Sequence, residues 1–287
     1  MSNELTLNTG NFADMAKAMG IAEAVSEGSK QSNLARFRIW HSPVMGEVEV
    51  KGKKKKMEVV EAGSYRLEIG DGKFAYAQSV NFRMFMQRFM YKRYLSDTKQ
   101  FQKTLMGDSL NKDLKDNVGG FNCGKPSGYV KDFKALPKEM QDLIRSIKRV
   151  RVLFGEVELI DPVDENGEPI DVATTPVIWE VDNKDAFKTM GDTLARITKM
   201  RMLPLQKVIT LTTENHDLPN GASFATPLVE LAKADTPITE ADQETFEAFA
   251  EWVNSYNEYI VNAWNEKHTD TVTAEEAELV EDFIDME

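Results

Sequence analysis

The stretch Lys148 to Ile160, KRVRVLFGEVELI, constrains the chain more than any other. Val150, Val152 and Phe154 fall on one side at period two, and Arg149, Arg151 and Leu153 on the other. Alternation sustained over that length specifies a β-strand, because successive side chains leave a strand on opposite faces. A lone strand is not stable in water, so partners must be found elsewhere in the chain. Thr175–Val181, TPVIWEV, is one, reached through the polar connection DPVDENGE with its turn at Asn166-Gly167. Ser64–Gln78 reads as a hairpin: Tyr65, Leu67 and Ile69 alternate, Gly70-Asp71-Gly72 turns, and Phe74 and Tyr76 return. Lys207–Thr213 and Ser223–Leu231 form another around Pro219–Gly221. Leu34–Trp40 alternates, and Glu47–Glu61 reads as two strands joined by KGKKKK. Helical spacing is clearest at Pro137–Ser146, at Asp185–Met200 (Phe187, Met190, Leu194, Ile197) and at Thr239–Lys267 (Phe246, Phe249, Val253, Tyr256, Ile260, Ala263, with Trp264 beside them). The seam of that last helix must be covered, by its own domain or by a partner. Ser96–Val118, polar and charged, is expected to be helix with loop. The expected class is α+β, mainly β.

Charge decides which partners such a fold could take. Formal net charge is −12, yet it is unevenly placed. Leu34 to Gly155 holds 25 Lys and Arg against 13 Asp and Glu, a net of +12, which leaves 10 against 34 for the remainder. From Asp235 onward there are 16 acids and one lysine. A basic body with an acidic appendage suits a polyanionic ligand, because the ligand meets the local field. No apolar run approaches the ~20 residues of a membrane span, and no signal peptide is expected from MSNELTLNTG. The single Cys123 cannot form an internal disulfide, in keeping with a cytoplasmic setting. One cysteine and the scattered His41, His216 and His268 make no zinc site, so no metal or other cofactor is expected.

Within the basic body, cations and flat rings are interleaved. Asn81–Tyr94, NFRMFMQRFMYKRY, carries Arg83, Phe85, Arg88, Tyr91, Lys92, Arg93 and Tyr94. Its periodicity fits a helix (Phe82, Phe85, Met86, Phe89) or a strand (Phe89, Tyr91, Arg93). Arg36, Arg38 and Trp40 share one side of the first strand, and Lys53, Lys54, Lys55 and Lys56, with Lys51, are expected at a hairpin tip. Arg149 and Arg151 share a strand face. The glycine-dense GGFNCGKPSGYVKDF places Lys125, Tyr129 and Lys131 on a loop along a groove; it is no triphosphate loop, since Pro126 removes an amide after Lys125. Phosphate attracts cations and an unstacked base attracts an aromatic face, so this mixture points to single-stranded nucleic acid. The bland alternative for any one such stretch is a core strand with solvated arginines.

In order of features from Leu34 on, the chain resembles phage-type replicative single-stranded-DNA-binding proteins of the oligonucleotide-binding (OB) barrel class. The likeness rests on RVRVLFGEVELIDPVDENGEPIDVATTPVIWEVDNKDAFKTMGDTL, a strand–loop–strand–helix unit, followed by the KVITLTT…SFATPLVEL hairpin. It implies an OB-like barrel with added hairpins and helices, sequence-tolerant binding in replication and recombination, and no bond-making chemistry. It also implies an acidic tail that regulates binding and contacts replication proteins such as a polymerase or a helicase/primase. Carried onto this chain, that tail is Ala274–Glu287, with Glu281, Asp282, Phe283, Ile284 and Asp285 around an aromatic anchor. Many such tails end on the aromatic, whereas Ile284, Asp285, Met286 and Glu287 follow Phe283 here. Some members hold a zinc that this chain lacks the cysteines to bind.

The expected organisation is an N-terminal arm (1–33) whose short helical pattern could dock on a neighbouring copy, a binding domain (34–235), a C-terminal helix (236–268) and a disordered acidic tail (269–287). A virion or scaffold component, or a strand-annealing recombination protein, are the alternatives. A metal nuclease is disfavoured because Asp161, Asp164 and Glu165 sit in a solvated turn.

Overall fold

The strand-rich pattern becomes eleven strands and three α-helices in a computed structural model that describes residues 34–269, apart from 51–52, 71 and 220–222. The N-terminal arm, and the tail with Glu281, Asp282, Phe283, Ile284 and Asp285, lie outside the described residues. The strands are β1 (Ala35–Ile39), β2 (Val44–Val50), β3 (Lys53–Val60), β4 (Tyr65–Gly70), β5 (Lys73–Ala77), β6 (Ser79–Leu95), β7 (Gln100–Lys103), β8 (Lys148–Ile160), β9 (Thr175–Val181), β10 (Val208–Asp217) and β11 (Ser223–Leu231). The helices are α1 (Lys138–Ser146), α2 (Lys184–Lys199) and α3 (Glu240–Thr269). No helix among the described residues is long and apolar enough to cross a membrane.

Nine strands form one mixed sheet in the order β11-β10-β6-β8-β9-β1-β4-β5, with β7 also on β6; β2 and β3 pair only with each other. All pairings are antiparallel except β1 with β9. The sheet curls strongly. Three ladder steps separate β1 from β6, ~14 Å in a flat sheet, yet the rings of Phe37 and Phe82 are 6.3 Å apart. Across the same interior the Tyr65 hydroxyl donates to the Thr212 carbonyl at 3.1 Å, and Thr213 Oγ1 donates to the Gly63 carbonyl at 2.8 Å.

Burial on the inner face explains the curl. Phe37, Tyr65, Leu67, Phe82, Leu153, Val157, Trp179, Ile209 and Leu211 meet there, and Ala186, Met190, Leu194 and Ile197 of α2 pack onto them. Asn183 starts α2 by accepting from the amides of Asp185 and Ala186. The outer face of β6, β8 and β9 holds a second cluster, Phe85, Met86, Met90, Val150, Val152, Phe154 and Ile178, closed over by Phe249 and Val253 of α3. The seam of the long helix therefore lies on its own sheet, with Phe246 left exposed.

One reading that the sequence left open is resolved, and one expectation is overturned. Asn81–Tyr94 is strand throughout, part of β6. Its pairing with β8 shifts register between Met84 and Met86, a bulge that swaps the inward set from even to odd residues. That swap makes a strand mimic helical spacing. Ser96–Val118 contains no helix: β7 and irregular backbone occupy it, pinned by Asp116, which accepts from the amides of Val118, Gly119, Gly120 and Cys123.

Candidate nucleic-acid interface

Alternation puts Phe37 and Ile39 of β1 into the core and Arg36, Arg38 and Trp40 outward. On β4 the same rule buries Tyr65 and Leu67 inward and turns Arg66 outward; on β5 it buries Ala75 and turns out Phe74 and Tyr76. The ladders then set Arg38 opposite Arg66 and Arg66 opposite Tyr76, with Glu68 opposite Phe74. The outer face of β1–β4–β5 thus carries three arginines among three rings.

Their contacts are close. The Arg66 guanidinium lies 3.8 Å from the Trp40 ring centroid and 4.2 Å from that of Phe74, so it is clamped between two rings. Only 7% of Arg66 is exposed, which makes it the mortar of the face and not a free cation. Arg38 lies 5.4 Å from the Trp40 centroid and, like Arg36, is exposed with no carboxylate in pairing range among the described residues. Burial raises the Tyr76 hydroxyl above its ordinary pKa, against a hydrogen bond from Arg66, so it stays a neutral anchor. The Glu165 carboxylate, on the turn beside β5, acts with burial in disfavouring the ionised hydroxyl. The backbone fixes the end of β1 at Trp40, whose N–H donates to Ser64 and whose carbonyl accepts from Gly63, both at 2.7 Å.

β2 and β3 leave the body directly after this face. The lysines expected at a flexible tip are part of β3 itself, registered as Val50↔Lys53, Glu49↔Lys54, Val48↔Lys55 and Glu47↔Lys56. Lys54 reaches Glu47 at 3.4 Å, and Lys54, Lys55 and Lys56 are exposed.

The other sequence candidates are not gathered into one groove. Arg83 is spent on α3: it donates from Nη2 to Asp242 Oδ2 at 2.8 Å and from Nε to the Leu205 carbonyl at 2.8 Å. Phe85 is buried against Phe249. Arg88 turns back onto the Gln87 carbonyl, and Tyr91 is fully buried with its hydroxyl on Leu110. Lys92 joins Lys103 and Lys148 in an ion cluster with Glu180 and Asp182, and these carboxylates raise its pKa over the opposing effect of burial. Arg93 bonds Gln102. Tyr94 is exposed and edge-on to Phe101. Lys125 caps the chain after α1 by donating to the carbonyls of Ile144 and Ile147, and burial lowers its pKa. Tyr129, 88% exposed, and Lys131 lie on the following loop. Arg149 is exposed, whereas Arg151 is buried between Phe89 and Phe187, donates to Gln87, and would collide with any side chain at Gly191.

Sequence reasoning missed Arg66, Phe74 and Tyr76 as members of the face. The signal was available: in a hairpin whose Tyr65 and Leu67 point inward, Arg66 must share the side of the returning Phe74 and Tyr76. No family model, curated protein or solved structure matches the chain.

Proposed function

We propose that the chain binds single-stranded nucleic acid on the outer face of β1–β4–β5. The observation that carries this reading is the Trp40–Arg66–Phe74 clamp flanked by the exposed Arg36 and Arg38, which pair with no carboxylate among the described residues. Rings held in place by a buried guanidinium offer bases a prearranged stacking surface, worth roughly 1–3 kcal/mol per base. Arg36 and Arg38 supply phosphate contacts that depend on salt and not on sequence. Single-stranded DNA is the ligand proposed. The OB-class reading has support from strand order: β6, β8 and β9 form a meander, α2 follows, and β10 returns to β6 before β11, in keeping with a partly open barrel. On this reading β1, β4 and β5 extend the barrel beyond β9. The acidic tail would compete for the cationic face and meet replication proteins once DNA displaces it.

The test is a titration of intrinsic fluorescence with oligo-dT and with duplex DNA at two salt concentrations. Oligo-dT should quench the wild type more strongly than duplex does, and Trp40→Phe should lose most of that quench. Equal quenching of the two forms would defeat the assignment.

A further inference from the structure

The register of the β2–β3 ribbon sorts its lysines into two kinds. Residues paired across an antiparallel ladder share a face. By register, positions 45, 47 and 49 share one face with 54, 56 and 58, and the sequence there carries two lysines and three glutamates. Positions 46, 48 and 50 share the other with 53, 55 and 57, and the sequence there carries two lysines and no acid. The 3.4 Å approach of Lys54 to Glu47 is what the first assignment requires. A run that reads as one basic patch is thus a self-neutralised side and a cationic side.

The cationic side has no ring. Val44 to Val60 contains no Phe, Trp, Tyr or His, so nothing on the ribbon can stack a base. Its chemistry is limited to phosphate, which duplex offers at twice the axial density of a single strand. A two-stranded β-ribbon also has the cross-section that the major groove of B-DNA admits. β3 runs Lys53 to Val60, about 25 Å at 3.3 Å per residue. It is anchored to the body at its base, where Gly46 faces Val59 and Gly167 lies against Val59, both too closely to accept a side chain without movement. The chain from Trp40, the last residue of the aromatic face, to Val44, the first of the ribbon, passes through only His41, Ser42 and Pro43.

We infer that the Lys53/Lys55 face of the ribbon binds the backbone of a duplex, so that the protein recognises junctions between single- and double-stranded DNA. This rests on the reading of the β1–β4–β5 face as the single-strand surface. Stacking holds the unpaired strand on that face, and the ribbon grips the adjoining duplex through phosphates alone. Lys54 acts differently, reaching across to Glu47 of β2, and Lys56 lies on the same face by register.

The experiment measures anisotropy of labelled oligo-dT, a blunt duplex and a duplex with a dT overhang, at about 200 and about 50 mM salt. Full-length wild type, K53Q/K55Q and K54Q/K56Q are compared. Two duplex phosphate contacts imply that the advantage of the tailed duplex over oligo-dT grows about tenfold on that fourfold dilution of salt. K53Q/K55Q should lose this advantage and keep its oligo-dT affinity within about twofold, since the counts differ by two phosphate contacts made only to duplex. K54Q/K56Q should retain it, and K53R/K55R should restore it, which separates lost charge from a misfolded ribbon. A tailed duplex bound no better than oligo-dT, or equal losses from both Gln pairs, overturns the inference. Failure of oligo-dT to bind at all, with the tailed and blunt duplexes equally sensitive to K53Q/K55Q, would instead remove the single-strand reading and reduce the ribbon to a duplex contact.

Discussion

Arg66 and Arg83 each directly follow an aromatic, yet they have different fates, and their neighbours decide which. Arg66 is clamped by Trp40 and Phe74; Arg83 is claimed by Asp242. Both side chains of the Arg83–Asp242 pair are largely buried, so removing one strands the other. Arg83→Met should cost about 3 kcal/mol in urea unfolding and leave oligonucleotide affinity unchanged. The Arg83 hydrogen bond, aided by Thr239, holds the Asp242 carboxyl below its usual range despite opposing burial. A depressed carboxylate stabilises fully above its unfolded pKa of about 3.9 and loses that contribution as pH falls through the folded value. Near-ultraviolet circular dichroism from Trp252 should therefore decay below about pH 4, and Arg83→Met should move that decay to higher pH. On the proposed face, Trp40→Ala should weaken oligo-dT by roughly 1–3 kcal/mol, the value of one stacked base. From sequence, period two exposed Arg36, Arg38 and Trp40. It could not tell that Arg83, Lys92 and Lys125 have partners, because Asp242, Glu180 and the Ile144 and Ile147 carbonyls lie far along the chain from them or on a different element.

At the scale of elements, β6 explains both what was legible and what was not. β8, β9, α2 and the β10–β11 hairpin follow from periodicity because each keeps one period throughout. β6 does not: the bulge between Met84 and Met86 turns Met86 to the outer cluster beside Phe85, while Phe82 and Met84 stay inside. Its partner position, Gly155, has no room for a methyl group, since a Cβ there would lie 2.5 Å from the Arg83 carbonyl oxygen and 2.5 Å from the Phe82 ring. Gly155→Ala should destabilise by about 1–3 kcal/mol through overpacking, read as a lower thermal midpoint with unchanged binding per folded molecule. Ser96–Val118 misled for another reason. Its order comes from one buried carboxylate, Asp116, collecting four amides, and that leaves no repeat in the sequence. The lysine run of β3 looked like a loop tip because composition hides register; only pairing shows that alternate lysines face opposite ways.

For the whole molecule, the segregation of charge is the property that sequence shows most plainly, and pairing refines it. Many of the basic residues between Leu34 and Gly155 are consumed by ion pairs and carbonyls, so net charge overstates what a ligand meets. What remains on the β1–β4–β5 face is Arg36 and Arg38, with Arg66 beneath them. If that face is the single-strand surface, replacing the two exposed arginines by glutamate should be decisive, and more so than any change on β6. The direct test is the affinity of the full-length chain for labelled oligo-dT with and without R36E/R38E, at about 50 mM salt. Two lost phosphate contacts predict at least about a fiftyfold weakening there, with the fold intact by circular dichroism. An affinity within twofold of wild type would contradict the account.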